Sequence, residues 1–308
     1  FNCCRDYILL FTKRKIMTIK NINSYAAKSS SEKLAPYIIE RRDVRENDIL
    51  IDIHYCGVCH TDIHFARNDL GMTIYPLVPG HEIVGRIVSI GSKVTKFKQN
   101  DLVGVGCIVD SCKNCSSCSD NTEQYCENGM TMTYNSPDQV MGGVTFGGYS
   151  SQIVVDENFV LKVSNKLKAE AVAPLLCAGI TTYSPLKKYN IGKGDKVGII
   201  GLGGLGHMGI KFASAMGADV VMITTSKEKA KDAKRLGANK VLISTNLDNL
   251  NDHINSFDLL LNTIPSDHDA STYLQLLKPN KTMVVVGLAN LNINTAPLLF
   301  GRSQVVGL

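Results

Sequence analysis

The chain has 308 residues, 44% of them apolar, and a formal net charge of +5 at neutral pH. That length supports two domains with full cores, and the scattered basic residues are not paired with aromatic platforms, which argues against a nucleic-acid binder. No apolar run approaches the ~18 residues of a spanning helix, and the short stretch 7–11 has no small-residue cleavage site after it, so a cytoplasmic protein without a membrane partner is expected.

The first methionine is Met17, and residues 1–16, with Cys3 and Cys4, are read as a non-native or disordered leader and set aside. Next come short β-type runs broken by glycine. Residues 49–55 alternate as a half-buried strand, residues 83–90 form another, and Gly91-Ser92 reads as a turn, together predicting a compact β-barrel. From about Ala169 strands alternate with helices. Strands are predicted over 196–201, 219–225, 240–244, 257–262 and 281–288, with a helix over 228–236 capped by Gly237. Alternation of this kind implies a doubly wound parallel sheet.

Cys112, Cys115, Cys118 and Cys126 stand close enough in sequence to wrap one metal ion. Four thiolates complete a tetrahedral zinc site, so the quartet reads as a structural brace with no position left for chemistry. Two disulfides or four unconnected thiols are the alternatives, and a four-cysteine iron–sulfur cluster is the main competitor for the metal.

The first strand of the second half runs into Gly201-Leu202-Gly203-Gly204-Leu205-Gly206, after which a helix begins. A flexible turn would carry the same glycines, but a strand before and a helix after them fit a dinucleotide site. There the glycines let the backbone approach the pyrophosphate, and the helix N-terminus offers free N–H groups. An NAD site normally has an acidic residue about twenty positions on, whereas this chain has Thr224-Thr225-Ser226-Lys227-Glu228-Lys229 and no carboxylate at the strand tip. Hydroxyls and a cation suit a 2′-phosphate, so NADP(H) is preferred.

A second constellation gathers residues distant in sequence: Cys59 in Cys56-Gly57-Val58-Cys59-His60-Thr61-Asp62, His81-Glu82 after Pro79-Gly80, and Cys177. Two thiolates and an imidazole leave a fourth position open for water or a substrate oxygen, the mark of a catalytic zinc. Taken singly, each of these residues also reads as an ordinary core residue, and Cys56 with Cys59 as a redox pair.

The chain resembles the zinc-dependent medium-chain alcohol dehydrogenases, in their cinnamyl alcohol dehydrogenase-like branch of NADP-dependent aldehyde reductases. The resemblance runs from about Met17 to Leu308 and is carried by Cys59-His60-Thr61-Asp62-Ile63-His64, Pro79-Gly80-His81-Glu82, the cysteine quartet, Pro174-Leu175-Leu176-Cys177-Ala178-Gly179 and the run from Gly201 to His207. It implies a GroES-like catalytic domain over residues 17–178 and an NADP-binding Rossmann domain over 179–308. Two zinc ions per chain are implied. Cys59, His81 and Cys177 would hold the catalytic one, with Glu82 as an alternative ligand, Asp62 orienting His81 and Cys56 a neighbour only. The implied activity is hydride transfer between NADP(H) and an alcohol or aldehyde, mainly aldehyde reduction. Thr61 and His64 would relay the proton and Asp69 would tune its exit. Thr181 is implied at the nicotinamide end, and Thr225, Ser226 and Lys229 at the 2′-phosphate. Leu70 and Met72 are implied at the substrate entrance.

Two departures stand out. Where plant cinnamyl enzymes carry a tryptophan, this chain has Thr131, and it has no tryptophan at all, which argues against a dedicated lignin-precursor enzyme. Family members also continue beyond the equivalent of Leu308, returning to the catalytic domain. The expected homodimer is therefore exposed to loss, and a zinc-stabilised NADP(H)-binding protein without turnover is the alternative reading.

Overall fold

The computed structural model describes residues 18–307, and the leader assigned to residues 1–16 lies outside them. The chain forms two compact units that divide between Ala173 and Pro174, a few residues before the division after Ala178 drawn from the sequence.

In the first unit, strands β1 (Thr18–Ala26) and β2 (Ala35–Arg42) pair as an antiparallel ribbon. Strands β3 (Asp48–Cys56), β4 (Ile83–Ile90) and β5 (Leu102–Val105) form the centre of a five-stranded antiparallel sheet, flanked by Gln152–Asp156 on one edge and Leu161–Lys162 on the other. The Ile and Val side chains of one face meet in a core that includes Ile49, Ile51, Ile83, Ile87, Val103 and Ile153. The turn from β3 into the sequence after it is where function begins, because helix α1 (His60–Arg67) starts directly after Cys59.

Charged side chains fix two edges of this unit. Asp48, fully buried, accepts hydrogen bonds from the guanidinium groups of both Arg42 and Arg45. The buried Arg41 guanidinium donates to the carbonyls of Phe146, Gly147 and Gln152 and to Ser150 Oγ, tying β2 to the segment ahead of Gln152–Asp156. Burial lowers the Arg41 pKa to about 9, which still leaves it charged at neutral pH.

The second unit is a six-stranded parallel sheet in the order Lys240–Ile243, Asp219–Thr224, Lys196–Ile200, Phe257–Asn262, Leu277–Val285, Gln304–Gly307. Its inner strands are apolar on both faces, as a sheet covered on two sides requires, and two clusters of buried Ile, Leu, Val and Met form on either side of it. The strands over 83–90 and 257–262 fall where the sequence places them, while the strand expected over 281–288 is Leu277–Val285. The helix expected over 228–236 is Lys229–Leu236, with Glu228 as its N-cap and Gly237 left-handed at its end, φ +116°. Among the described residues no helix is long and apolar enough to cross a membrane.

Candidate active site and metal centres

The quartet lies in a lobe of the first unit, with Cys118 and Cys126 buried and Cys112 and Cys115 half-buried. The four sulfurs lie within 4.8 Å of one another, with Cys112 Sγ 3.9 Å from Cys118 Sγ and Cys115 Sγ 4.0 Å from Cys126 Sγ. Those separations rule out a disulfide in either pair and approach the roughly 3.8 Å edge of a tetrahedron with Zn–S bonds of about 2.3 Å. The backbone N–H of Asn114 and the Asn128 side chain bring the Cys112 thiol down to about 6, toward the thiolate a metal needs. The donor set fits a closed four-thiolate zinc.

Around helix α1 the first unit gathers a second set of donors. Cys59 Sγ, a His81 ring nitrogen and a Glu82 carboxylate oxygen lie within 4.8 Å of one another, with His81 and Glu82 buried. Local sequence explains the approach. Gly57 donates its N–H to the Glu82 carbonyl at 2.9 Å, and a Cβ there would overlap the Glu82 carboxylate, so the bend between Cys56 and Cys59 requires glycine. Cys56 is not among the donors that lie together, and burial pushes its thiol up to about 12.

Asp62 organises this region. Its Oδ2 accepts the Cys59 N–H at 2.9 Å, a capping contact across the first turn of α1. Its Oδ1 accepts the Gly80 N–H at 3.0 Å and lies 3.3 Å from His81 Nδ1. Burial pushes the Asp62 carboxyl up, but the His81 bond and the two backbone N–H groups outweigh it and hold the group below the ordinary carboxylate range. The Asp62 contact at Nδ1 orients the His81 ring, as a carboxylate does for a metal-binding histidine.

Of the other residues singled out near α1, Thr61 and His64 are half-buried and Asp69 is exposed. Thr61 Oγ1 accepts from Cys59 Sγ at 3.5 Å, and His64 Nδ1 lies 2.8 Å from Asp69 Oδ2, so the His64–Asp69 pair is formed. His60 lies against His64 with ring centroids 4.5 Å apart. Leu70 and Met72 are exposed on the loop that follows. Tyr134 and Tyr149, which the sequence did not single out, also reach this region. The Tyr134 ring packs 5.6 Å from that of His81, and the Tyr149 hydroxyl donates to Asp62 at 3.3 Å. Nothing in their local sequence marks them, because both act at long range in the chain.

In the second unit Cys177 is the N-cap of the helix Ala178–Lys188, and Thr181 donates its N–H to the Cys177 carbonyl at 3.0 Å. The glycine turn lies between Lys196–Ile200 and the helix Gly204–Ala215, whose N-cap is Gly203. Gly201 sits at φ +91°, and a Cβ at Gly206 would overlap the Gly201 carbonyl, so both must lack a side chain. Gly203 and Gly204 face open space instead, which leaves the backbone N–H groups of the helix start approachable by a phosphate. Leu202 lies in the turn and Leu205 in the first turn of the helix. Across it, Lys229 Nζ donates to the Leu202 carbonyl at 3.1 Å, and Thr225 is exposed beside the half-buried Ser226. The cradle fits a dinucleotide and presents no carboxylate at the end of Asp219–Thr224.

Residues 45–165 match the family described as the alcohol dehydrogenase GroES-like domain, and residues 204–308 match the zinc-binding dehydrogenase family. The aldehyde reductase YahK of Escherichia coli is 53% identical over 272 residues, covering 88% of this chain and 77% of the relative. The chain belongs to the zinc-binding medium-chain alcohol dehydrogenases. Its place in the cinnamyl alcohol dehydrogenase-like branch is carried by two solved structures. The cinnamyl alcohol dehydrogenase SbCAD4 of Sorghum bicolor superposes with a TM-score of 0.91 at 40% identity, covering 94% of this chain and 83% of that one. The CAD of Helicobacter pylori, solved with NADP(H), gives 0.88 at 40% identity and covers 94% and 84%. This dehydrogenase is thus an oxidoreductase with a GroES-like unit and a Rossmann-type unit.

Proposed function

We propose that this dehydrogenase reduces aldehydes to primary alcohols with NADPH. In this reading Cys59, His81 and Cys177 hold a catalytic zinc with Glu82 beside it, and the cysteine quartet holds a second, structural zinc. The observation that carries it is Asp62, whose contacts with Cys59, Gly80 and His81 bring two distant segments into one donor set. When bound, the zinc supplies a Lewis acid for the substrate oxygen, and NADPH supplies the hydride.

The chain's own residues do the remaining work. The turn 201–206 and the start of its helix hold the pyrophosphate, Thr181 approaches the nicotinamide, and Thr225, Ser226 and Lys229 receive the 2′-phosphate with donors and a cation. Thr61 holds a hydroxyl two residues from Cys59, and His64, oriented by Asp69, exchanges the proton with solvent. Leu70 and Met72 form an apolar entrance, which suits aromatic or medium-chain aldehydes. The enzyme works as a homodimer. The test is NADPH oxidation with such an aldehyde alongside zinc content. Loss of turnover and of one zinc per chain in a folded Cys59→Ser protein supports it, and full turnover in that variant rejects it.

A further inference from the structure

Tyr149 reaches Asp62 from a segment 87 residues along the chain, and its phenol is held there from several sides. Its N–H donates to the Pro79 carbonyl at 2.9 Å, and its own carbonyl accepts the Tyr25 N–H at 2.8 Å. The neighbouring N–H groups of Gly147 and Gly148 bond the carbonyls of Val78 and Gly80, so residues 147–149 run as a short ladder beside 78–80. The ring lies against Gly80, where a Cβ would come within 2.6 Å of the ring Cδ1. The Arg41 guanidinium anchors the carbonyls on both sides of this segment.

Asp62 shares its two oxygens among four donors. Oδ1 faces Gly80 N–H and His81 Nδ1, while Oδ2 faces Cys59 N–H and the Tyr149 hydroxyl. Rotation about the last bond of an aspartate is soft, so the carboxylate plane is set by what holds its oxygens. Without the phenol, Oδ2 loses one of its two donors, and the carboxylate plane is held less firmly against His81.

We infer that Tyr149 is a positioning residue of the metal site: its hydroxyl fixes the Asp62 carboxylate plane and, through it, the His81 ring. The inference rests on the zinc reading of Cys59 and His81 proposed above. Tyr149 acts through Asp62 and not on substrate or cofactor. Its effect is on how firmly the Cys59–His81 donor set retains the metal.

The experiment uses the full chain loaded with zinc and follows metal release to a chromogenic chelator, with the quartet's zinc as internal reference. Tyr149→Phe should release the zinc of the Cys59 set about tenfold faster, the low end of the usual effect of an outer-shell partner, while the quartet's zinc is released at the wild-type rate. kcat should fall with the KM for NADPH unchanged. Tyr75→Phe is the control, since the Tyr75 hydroxyl also holds α1, donating to the Ala66 carbonyl at 2.9 Å, but does not touch Asp62. It should shift the thermal midpoint and leave metal release alone. Release from Tyr149→Phe at the wild-type rate, or equal acceleration of both zincs or in both variants, overturns the inference. A wild-type chain that holds only the quartet's zinc overturns the zinc reading and the inference with it, whereas two zincs and an unchanged Tyr149→Phe reject the inference alone.

Discussion

Lys229 Nζ donates to the Leu202 carbonyl at 3.1 Å, so the first residue of the helix after the second parallel strand lies across the glycine turn that follows the first. The hydroxyl residues Thr225 and Ser226 lie four and three positions before Lys229, in the loop after that second strand.

Lys229→Ala should raise the KM for NADPH about tenfold or more, because a charge-assisted bond to phosphate contributes on the order of 1.5–3 kcal/mol. The KM for NADH, which lacks the 2′-phosphate, should change little. Steady-state kinetics with both cofactors measure this, and an equal loss for the two would place the lysine's role at the turn itself.

At the cysteine quartet, Cys112→Ser removes one corner of a closed thiolate set whose sulfurs stand 3.9 and 4.0 Å apart. Zinc content should fall by one per chain, and limited proteolysis should open a cut within residues 107–133. Structural zinc supplies much of the folding energy of such a lobe. Unchanged zinc content would show that the sulfurs hold no metal.

Asp48 yields a pH prediction. Burial raises its carboxyl pKa, but the Arg45 and Arg42 guanidinium groups more than offset this and hold it well below the ordinary carboxylate range. A folded-state pKa below the unfolded value stabilises fully above about pH 4, and that stability is lost as pH falls from there through the folded value. Asp48→Asn should cost about 3 kcal/mol at pH 7, the low end for a broken buried pair because Arg45 is partly exposed. Urea unfolding across pH should show the gap between wild type and variant narrowing only below about pH 4, and a gap that is constant with pH would contradict the charge argument.

Much of the fold was legible in local pattern. The apolar strands of the second unit, the glycine turn and the left-handed Gly237 all follow from φ preferences and burial on both faces, which a short window of sequence records. The strand predicted over 281–288 shows the limit. Its apolar run begins late because Lys278, Asn280 and Lys281 occupy the first half of this inner strand, where Lys278 and Lys281 pair with Asp258.

By itself the sequence determined which donors exist and which kind of ion or phosphate they suit: four thiols in close spacing, a cysteine and a histidine–glutamate pair, and a glycine turn followed by hydroxyls and a lysine. Their chemistry is intrinsic to the side chains and needs no fold to be read. Only the tertiary structure decided how those donors are aimed. Asp62 faces His81 because the Gly80 and Cys59 N–H groups hold its oxygens, and Tyr149 completes that grip from a distant segment. Contacts of this range leave no periodic mark in the chain, because they depend on which strands lie side by side.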